Sequence, residues 1–460
     1  MKTKDISTSE FEAIASRDEG HFFDLKSREI DGRGIQKIAV ALANADGGEF
    51  VIGAKDKKEA SLLRDRWDGF TEIESMNSAL QAIFDIKPAA TVQYELLTCG
   101  IGKGYLLRVT IEKSAEVLST SDSRVVVRHG AQSIVIKDPD RIQELAFSKG
   151  ATSFEDSVLK GIPTELITDS VEIADFLTNY SPMTDSLDFV INQNLVDYKT
   201  WEVRAAAALL FHPVPSAVMP RKCAVKVSRY ETREDSPERD HLAEQITIEG
   251  PLIRLIANSV EAVTKLMSGV KVWTAGGMGT LDYPPEAVWE TIVNAIIHRD
   301  YSISDDVQIY IFNDRVDIHS PGKLPGYVTV ENILDARFSR NPKIVRTLNR
   351  YEKAPNKDLG EGLNTTFQKM KEFGLRDPEI FEEGNYVVVR LPHTPLATPG
   401  EAILKFLETH DRITNRQARE ITGIKSENLV KIEFYKLKDA GLLEQIPELK
   451  GPKSAWRKPK

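Results

Sequence analysis

EAVWETIVNAIIHRDY, residues 286–301, is the stretch around which the chain is read. Val288, Ile292, Ala295 and Ile296 recur at helical spacing and form an apolar stripe, while Glu290, Asn294 and His298 fall on a second line at i, i+4 and i+8. One face packs and the other presents chemistry. A carboxylate and an amide one turn apart suit a nucleotide site: the Asn294 amide oxygen can ligate Mg²⁺, and Glu290 can orient or deprotonate an attacking water. Downstream, VQIYIFNDRVDIHSPG (307–322) alternates and ends in a sharp turn at Gly322. DLGEGLNTTFQKM (358–370) then places Gly360-x-Gly362 at the start of a helix. Its free N–H groups and positive dipole end are offered to phosphates.

In this order the three elements resemble the nucleotide boxes of the GHKL ATPases, the superfamily of gyrase, a class of heat-shock chaperones, MutL and histidine kinases. More narrowly, NAIIHRDY, SPGKLP, RNPKIV and GEGL resemble the ATPase-like domain of proteins labelled RecG-like. The label does not bring helicase activity with it, since no G-x-x-x-x-G-K-[ST] loop is present. The resemblance implies ATP with Mg²⁺, held by Glu290, Asn294, His298, Gly322, Gly360 and Gly362. Where GHKL enzymes carry an aspartate that bonds adenine, this chain has Ser320, and Asp317 in the preceding strand is the candidate substitute. Residues 326–356 form the expected lid, with Arg337, Arg340, Lys343 and Arg346 placed to meet phosphates or nucleic acid, or to form a solvated basic face. Pairing of two copies across such lids is implied by the resemblance alone, so the expected state is a homo-oligomer.

The 460 residues allow about three domains on the usual prior of ~150 residues each. A net charge of -9 argues against a general polyanion binder, so contact with nucleic acid must come from local basic patches. Two cysteines, Cys99 and Cys223, are too few for a disulfide framework or an all-cysteine zinc site. The N-terminus lacks an apolar signal core and no run approaches ~18 apolar residues, so a cytosolic protein without a membrane partner is expected.

Residues 1–150 read as a first α+β domain. FFDLK (22–26) alternates, putting Asp24 and Lys26 on one face of a strand and Phe23 and Leu25 on the other. Ile35, Ile38, Ala39 and Leu42 give a helix stripe ended by Asp46-Gly47-Gly48, and a strand follows at 49–54. Later strands are expected at 91–97, 105–111 and 125–128. Glu19, Asp24 and Lys26, then ANADGG (43–48), Gly53 and Asp56, and VVVRHG (125–130), resemble the Schlafen AlbA-type domain. In Schlafen nucleases, acidic residues in the places of Glu19, Asp24 and Asp56 form a metal-dependent RNA-cutting site. The resemblance therefore implies a divalent ion (Mg²⁺ or Mn²⁺) on these three carboxylates, with Lys26 stabilising negative charge. Asp24 stands where glutamate is usual, and the Schlafen zinc motif has no counterpart. Relatives of this module also include proteins that only bind nucleic acid.

Residues 151–270 are mostly helical in pattern, with helices expected at 201–210 and 248–267 and a strand at 225–230; they form a bridging subdomain. The ATPase-like core is expected over 271–395, a linker at 391–400, and over 401–460 the order helix, helix, turn, helix, hairpin. That order resembles a winged helix-turn-helix, with Lys425, Ser426, Asn428 and Lys431 facing a groove and Lys450, Lys453, Arg457 and Lys458 facing the backbone. A protein-docking winged helix is the alternative. The expected whole is an α+β multidomain protein: a Schlafen-type module, a GHKL-like α/β sandwich and a winged helix.

Three functions fit. The first is an ATP-gated enzyme that cuts or remodels nucleic acid, DNA or RNA, in defence against phage or stress. The second is an ATP-responsive DNA-binding regulator whose end domains only bind. The third is a docking scaffold with decayed sites, which the intact Glu290 and Asn294 argue against.

Overall fold

The computed structural model describes residues 2–55, 57, 59–274, 277–280, 283–356, 362–393, 399–422, 424, 426–447, 449 and 454–459. The architecture is mixed α/β with several separate sheets. Among the described residues no helix is long and apolar enough to cross a membrane.

The N-terminal sheet, in the order β1-β4-β5-β3-β2, consists of β1 (Lys2–Asp5), β2 (Phe23–Lys26), β3 (Gly48–Ile52), β4 (Val92–Thr98) and β5 (Leu106–Ile111). Helices α1 (Thr8–Ser16), α2 (Gly32–Asn44) and α3 (Asn77–Phe84) accompany it, followed by the hairpin β6 (Val125–His129) and β7 (Gln132–Ile136) and by α4 (Pro139–Lys149). Asp31 caps α2 by accepting the Gly34 N–H at 2.8 Å. The stripe Ile35, Ile38, Ala39 and Leu42 packs with Phe50, Leu96 and Val109, while Phe23 and Leu25 join a second core with Phe11, Trp67 and Leu97. The chain must turn sharply after α2. Gly47 has φ +79°, and a Cβ on Gly48 would lie 2.6 Å from the Phe22 carbonyl oxygen, so only glycine fits. Buried Asn44 staples the end of α2 to the chain beyond: its amide donates to the Leu118 and Val126 carbonyls at 2.8 and 2.9 Å and accepts the Leu118 N–H at 2.8 Å.

The next segment holds the short pair β8 (Val158–Leu159) and β9 (Val203–Arg204), with α5 (Glu165–Thr168), α6 (Val171–Tyr180), α7 (Ser186–Asn192), α8 (Ala205–Phe211) and α9 (Pro215–Val218). The helix expected from 201 begins instead at Ala205. Asp197 accepts the N–H groups of Lys199 and Thr200, and this turn puts Trp201 at φ +59° before the helix can start.

After β10 (Val225–Tyr230), β11 (Leu242–Ile248), α10 (Leu252–Met267) and the hairpin β12 (Lys271–Thr274) and β13 (Gly277–Thr280) comes α11 (Pro285–Ile297). Then follow β14 (Val307–Ile311), β15 (Arg315–Pro321), α12 (Pro342–Leu348), α13 (Gly362–Glu372), β16 (Glu379–Glu383) and β17 (Tyr386–Pro392). One six-stranded sheet, β11-β10-β14-β15-β17-β16, joins these strands. It crosses the boundary expected at 270: β10 and β11, read from sequence as bridging, pair into the sheet, β10 running parallel to β14. Helix expected from 248 starts at Leu252, because residues up to Ile248 are taken by β11. A single core runs from Ile167 to Leu391.

At the C-terminal end, α14 (Pro399–Thr409), β18 (Ile413–Thr414), α15 (Asn415–Thr422), α16 (Glu427–Asp439), β19 (Glu444–Gln445) and β20 (Ala455–Arg457) surround Ile403, Val430, Phe434 and Trp456. Their strands form a small sheet in the order β18-β20-β19.

Candidate functional site

Alternation decides what β15 offers to its two sides. Ile318 faces α11 and the core, and Ser320, two residues on, points the same way, its hydroxyl donating to the Ala295 carbonyl at 2.8 Å. Between α11, this end of the sheet, α13 and the connection after β15 lies a cavity of about 1020 Å³. Pockets for small ligands occupy roughly 300–1,000 Å³, so a nucleotide has room here. Glu290, Asn294, His298, Ser320, Gly322 and Gly362 all line it.

On α11, Val288, Ile292, Ala295 and Ile296 are buried, whereas Glu290, Asn294 and His298 remain half-exposed toward the cavity. His298 already lies at the C-cap, and its N–H closes the helix on the Asn294 carbonyl at 3.0 Å. Helix α13 packs against α11 with its first residue at the reactive pair: a Cβ on Gly362 would stand 2.8 Å from Glu290 Oε2 and 3.0 Å from Asn294 Nδ2. This is a cradle that a side chain would fill. The α13 N-terminus, a carboxylate and an amide oxygen thus meet at one point, a donor set suited to a phosphate with a hard cation. Gly360, the other glycine expected here, lies outside the described residues.

Two expected participants go elsewhere. Asp317 is on the opposite face of β15, buried, and held by Arg315 Nε at 3.0 Å and by Arg390 Nε and Nη2 at 2.8 and 2.9 Å. It cannot stand in for a base-recognising carboxylate, because one residue of shift along a strand reverses the face. Arg340, expected to reach phosphates from the lid, is also buried. Its guanidinium pairs with Asp300 at 3.0 Å and donates to backbone carbonyls. Lys343 pairs with Asp156, Arg337 lines the cavity, and Arg346 is exposed. Asp300 was missed in the sequence because the buried charge in HRDY shows itself only through its distant partner. Gly322 has φ +119°, and a Cβ there would come 2.8 Å from the Asp300 Cβ.

In the N-terminal unit Glu19, Asp24 and Lys26 do meet, and Asp56 lies outside the described residues. Lys26 Nζ is 2.6 Å from Glu19 Oε1 and also contacts Asp24, while Arg128 Nη1 donates to Asp24 Oδ2 at 2.8 Å. Burial raises the Asp24 carboxyl, the hydrogen bond with Glu19 raises it further, and Lys26 opposes both. Burial also pushes Glu19 up, but its hydrogen bonds with Asp24 and Lys26 outweigh this and hold it at about 2. Burial lowers the Lys26 amine, yet the bonds to Asp24 and Glu19 leave it above its ordinary value. An ammonium therefore sits where the two carboxylates would share a divalent ion, and among the described residues no acidic, histidine or cysteine cluster suits a metal. The arrangement does not fit a bound cation as it stands. Arg128, which neutralises Asp24, stands in VVVRHG, where local pattern gives it no role because its partner lies 104 positions away.

In the C-terminal unit, Ser426 caps α16 and Asn428 is exposed on its first turn. Lys431 pairs with Glu427 at 2.8 Å and Arg457 with Glu444 at 2.6 Å. Lys425 and Lys453 lie outside the described residues.

Comparison with known proteins agrees with two of these units. Residues 19–137 match the family model described as "Schlafen, AlbA_2", and residues 304–391 match the one described as "Putative ATP-dependent DNA helicase recG C-terminal". The chain therefore combines a Schlafen AlbA_2 domain with a RecG-like ATPase-like domain. A crystal structure of the DIP2311 protein from Corynebacterium diphtheriae aligns over 98% of this chain and 96% of that one, at 18% identity and a TM-score of 0.39. No curated protein matches.

Proposed function

We propose that the chain is an ATP-binding protein that acts on nucleic acid, the nucleotide lying with Mg²⁺ in the cavity beside α11. The observation that carries this reading is the convergence of Gly362 on Glu290 and Asn294 in the lining of a cavity large enough for a nucleotide. Bound ATP would supply a phosphoanhydride bond to be broken by water. Asn294 offers its amide oxygen to the cation, the α13 N-terminus offers N–H groups to phosphate, and Glu290 accepts a proton from water or fixes its orientation. Glu290→Ala should keep nucleotide affinity and remove turnover, which phosphate release and calorimetry on one preparation would read; equal loss of both would oppose this division of roles.

The target is nucleic acid, met by the Schlafen AlbA_2 unit and by the C-terminal helices, whose order and small sheet support the winged-helix reading. Binding rather than cutting is favoured at the N-terminal site, since Lys26 and Arg128 neutralise Asp24. A metal-dependent nuclease gated by ATP is the second reading, favoured by the convergence of the Glu19 and Asp24 carboxylates on one point, with phage defence as its setting. It requires Lys26 to be displaced. A cleavage screen over structured RNA, single strands and duplex, across Mg²⁺, Mn²⁺ and nucleotide, separates the two: product abolished by chelation and by Asp24→Asn supports the nuclease, and none supports the binder. Homo-oligomerisation is proposed on the GHKL resemblance and is read by sedimentation with and without nucleotide.

A further inference from the structure

We infer that the segment roofing the cavity is also the latch on the N-terminal domain, so that nucleotide occupancy is transmitted to the Schlafen AlbA_2 unit through Arg340 and Lys113. This deepens the nucleotide reading above and rests on it. The segment 323–340 has two working sides. Leu324, Pro325, Val328, Phe338 and Ser339 face the cavity. On the other side, Lys113 Nζ donates to the Leu324 carbonyl at 2.9 Å, and the Gly326 N–H donates to the Lys149 carbonyl at 2.7 Å. A Cβ on Gly150 would lie 2.7 Å from the Phe338 ring, so the end of α4 and the roof are in close contact.

Arg340 pins both ends of the roof. Its guanidinium donates to the Lys323 carbonyl at 2.6 Å, to the Ser148 carbonyl at 3.1 Å and to the Phe147 carbonyl, while pairing with Asp300 just beyond the reactive helix α11. The linker between the domains then continues along the same strip. Ser153 Oγ bonds Asn341 Oδ1 at 3.2 Å, and Glu155 accepts the N–H groups of Lys343 and Ile344, each at 2.9 Å. Residues 147–155 are thus bonded to 340–344, so a displacement of the C-terminal end of the roof has to break these bonds or carry the linker with it. Arg340 and Asp300 are each 3% exposed, so water cannot replace these bonds in place, and a rearrangement must exchange one set of partners for another. Among the described residues Arg340 Nε has no partner, which leaves this network one bond short of saturation.

From the latch the contacts continue toward the carboxylates. Lys113 lies 3.4 Å from Asp46, Asp46 bonds His21 at 2.9 Å, and the adjoining Gly20 carbonyl accepts Arg128 Nη2 at 2.7 Å, the guanidinium that also holds Asp24.

The test is amide exchange on the full chain, with and without saturating Mg²⁺ and adenylyl imidodiphosphate, alongside calorimetry for affinity. In wild type the analogue should change the exchange rates of the Gly326, Gly150 and Ala151 amides by about 5- to 150-fold, the usual range of allosteric coupling. Arg340→Lys should bind the analogue within about threefold of wild type, as it touches none of the phosphate-facing groups, and lose most of that change. Should Arg340→Lys not fold, Lys113→Ala serves, since it deletes a contact outside the core and should reduce the change at 147–151 while leaving that at Leu363 and Thr365. Tight binding with unaltered exchange at 147–151 overturns the latch and spares the nucleotide site; absence of binding overturns both.

Discussion

Replacing Gly362 by alanine perturbs the site by a known distance. The added Cβ would stand 2.8 Å from Glu290 Oε2 and 3.0 Å from Asn294 Nδ2, where ordinary contact is 3.4–4 Å. The Glu290 carboxylate must therefore retreat by about 0.6–1 Å, and a misplacement of about 1 Å costs on the order of 10²-fold in rate. That corresponds to about 2.7 kcal/mol of transition-state stabilisation. Stability should move the other way or not at all. The obstructing atoms are the ends of side chains rather than backbone, and at the first residue of α13 alanine gains at most a fraction of the about 0.5–1 kcal/mol by which it is favoured over glycine in a helix interior. Gly362→Ala should thus keep or slightly raise its Tm and lose about a hundredfold in nucleotide turnover, measured by phosphate release and differential scanning calorimetry on the same sample. Turnover within threefold of wild type, or a loss of activity that merely follows a fall in Tm, would refute the geometry.

Other perturbations have equally definite outcomes. Asp24→Ala strands Arg128, 1% exposed, without its carboxylate and should cost about 3–5 kcal/mol in denaturant unfolding, whereas Asp24→Asn, which keeps an acceptor, should cost clearly less; equal stability of the two would contradict the buried pair. Burial, then Lys113, lowers the Lys149 amine to about 7 in the folded chain, so between pH 7 and its ordinary 10.5 the unfolded chain binds more protons and stability rises with pH. Lys149→Met should flatten that rise and stabilise the protein most below pH 7; an unchanged pH profile of unfolding would oppose it. Because Glu427 neutralises Lys431, Glu427→Gln should tighten duplex binding and steepen its salt dependence by about one ion, and Lys431→Ala should do the reverse; a slope that neither variant alters would remove α16 from the interface.

Local patterns were legible in the sequence wherever one element's own periodicity settled the matter. The stripe of α11, the alternation that puts Asp24 beside Lys26 and the glycines after α2 all appear as read. Features decided by distant partners were not. β10 is recognisable as a strand and β11 is not, and the membership of both in the sheet depends on long-range pairing, β10 running parallel to β14 some eighty residues on. Asp317 shares a strand with cavity residues, and only the register shows that Arg315 and Arg390 occupy it. Arg340 looks like a surface cation in a basic run until Asp300 and three carbonyls account for it. From sequence Lys26 is expected to stabilise negative charge on a substrate, yet Glu19 and Asp24 claim its ammonium in the fold.

If Glu290, Asn294 and Gly362 bound a Mg·ATP site, isothermal titration of ATP into the full chain, with and without Mg²⁺, for wild type and Asn294→Ala, reads it out. Wild type should show saturable one-site binding that strengthens with Mg²⁺, and the variant should retain its fold but lose most of the Mg²⁺ dependence. No heat of binding in wild type, or an affinity in which Mg²⁺ and Asn294 have no part, would contradict it.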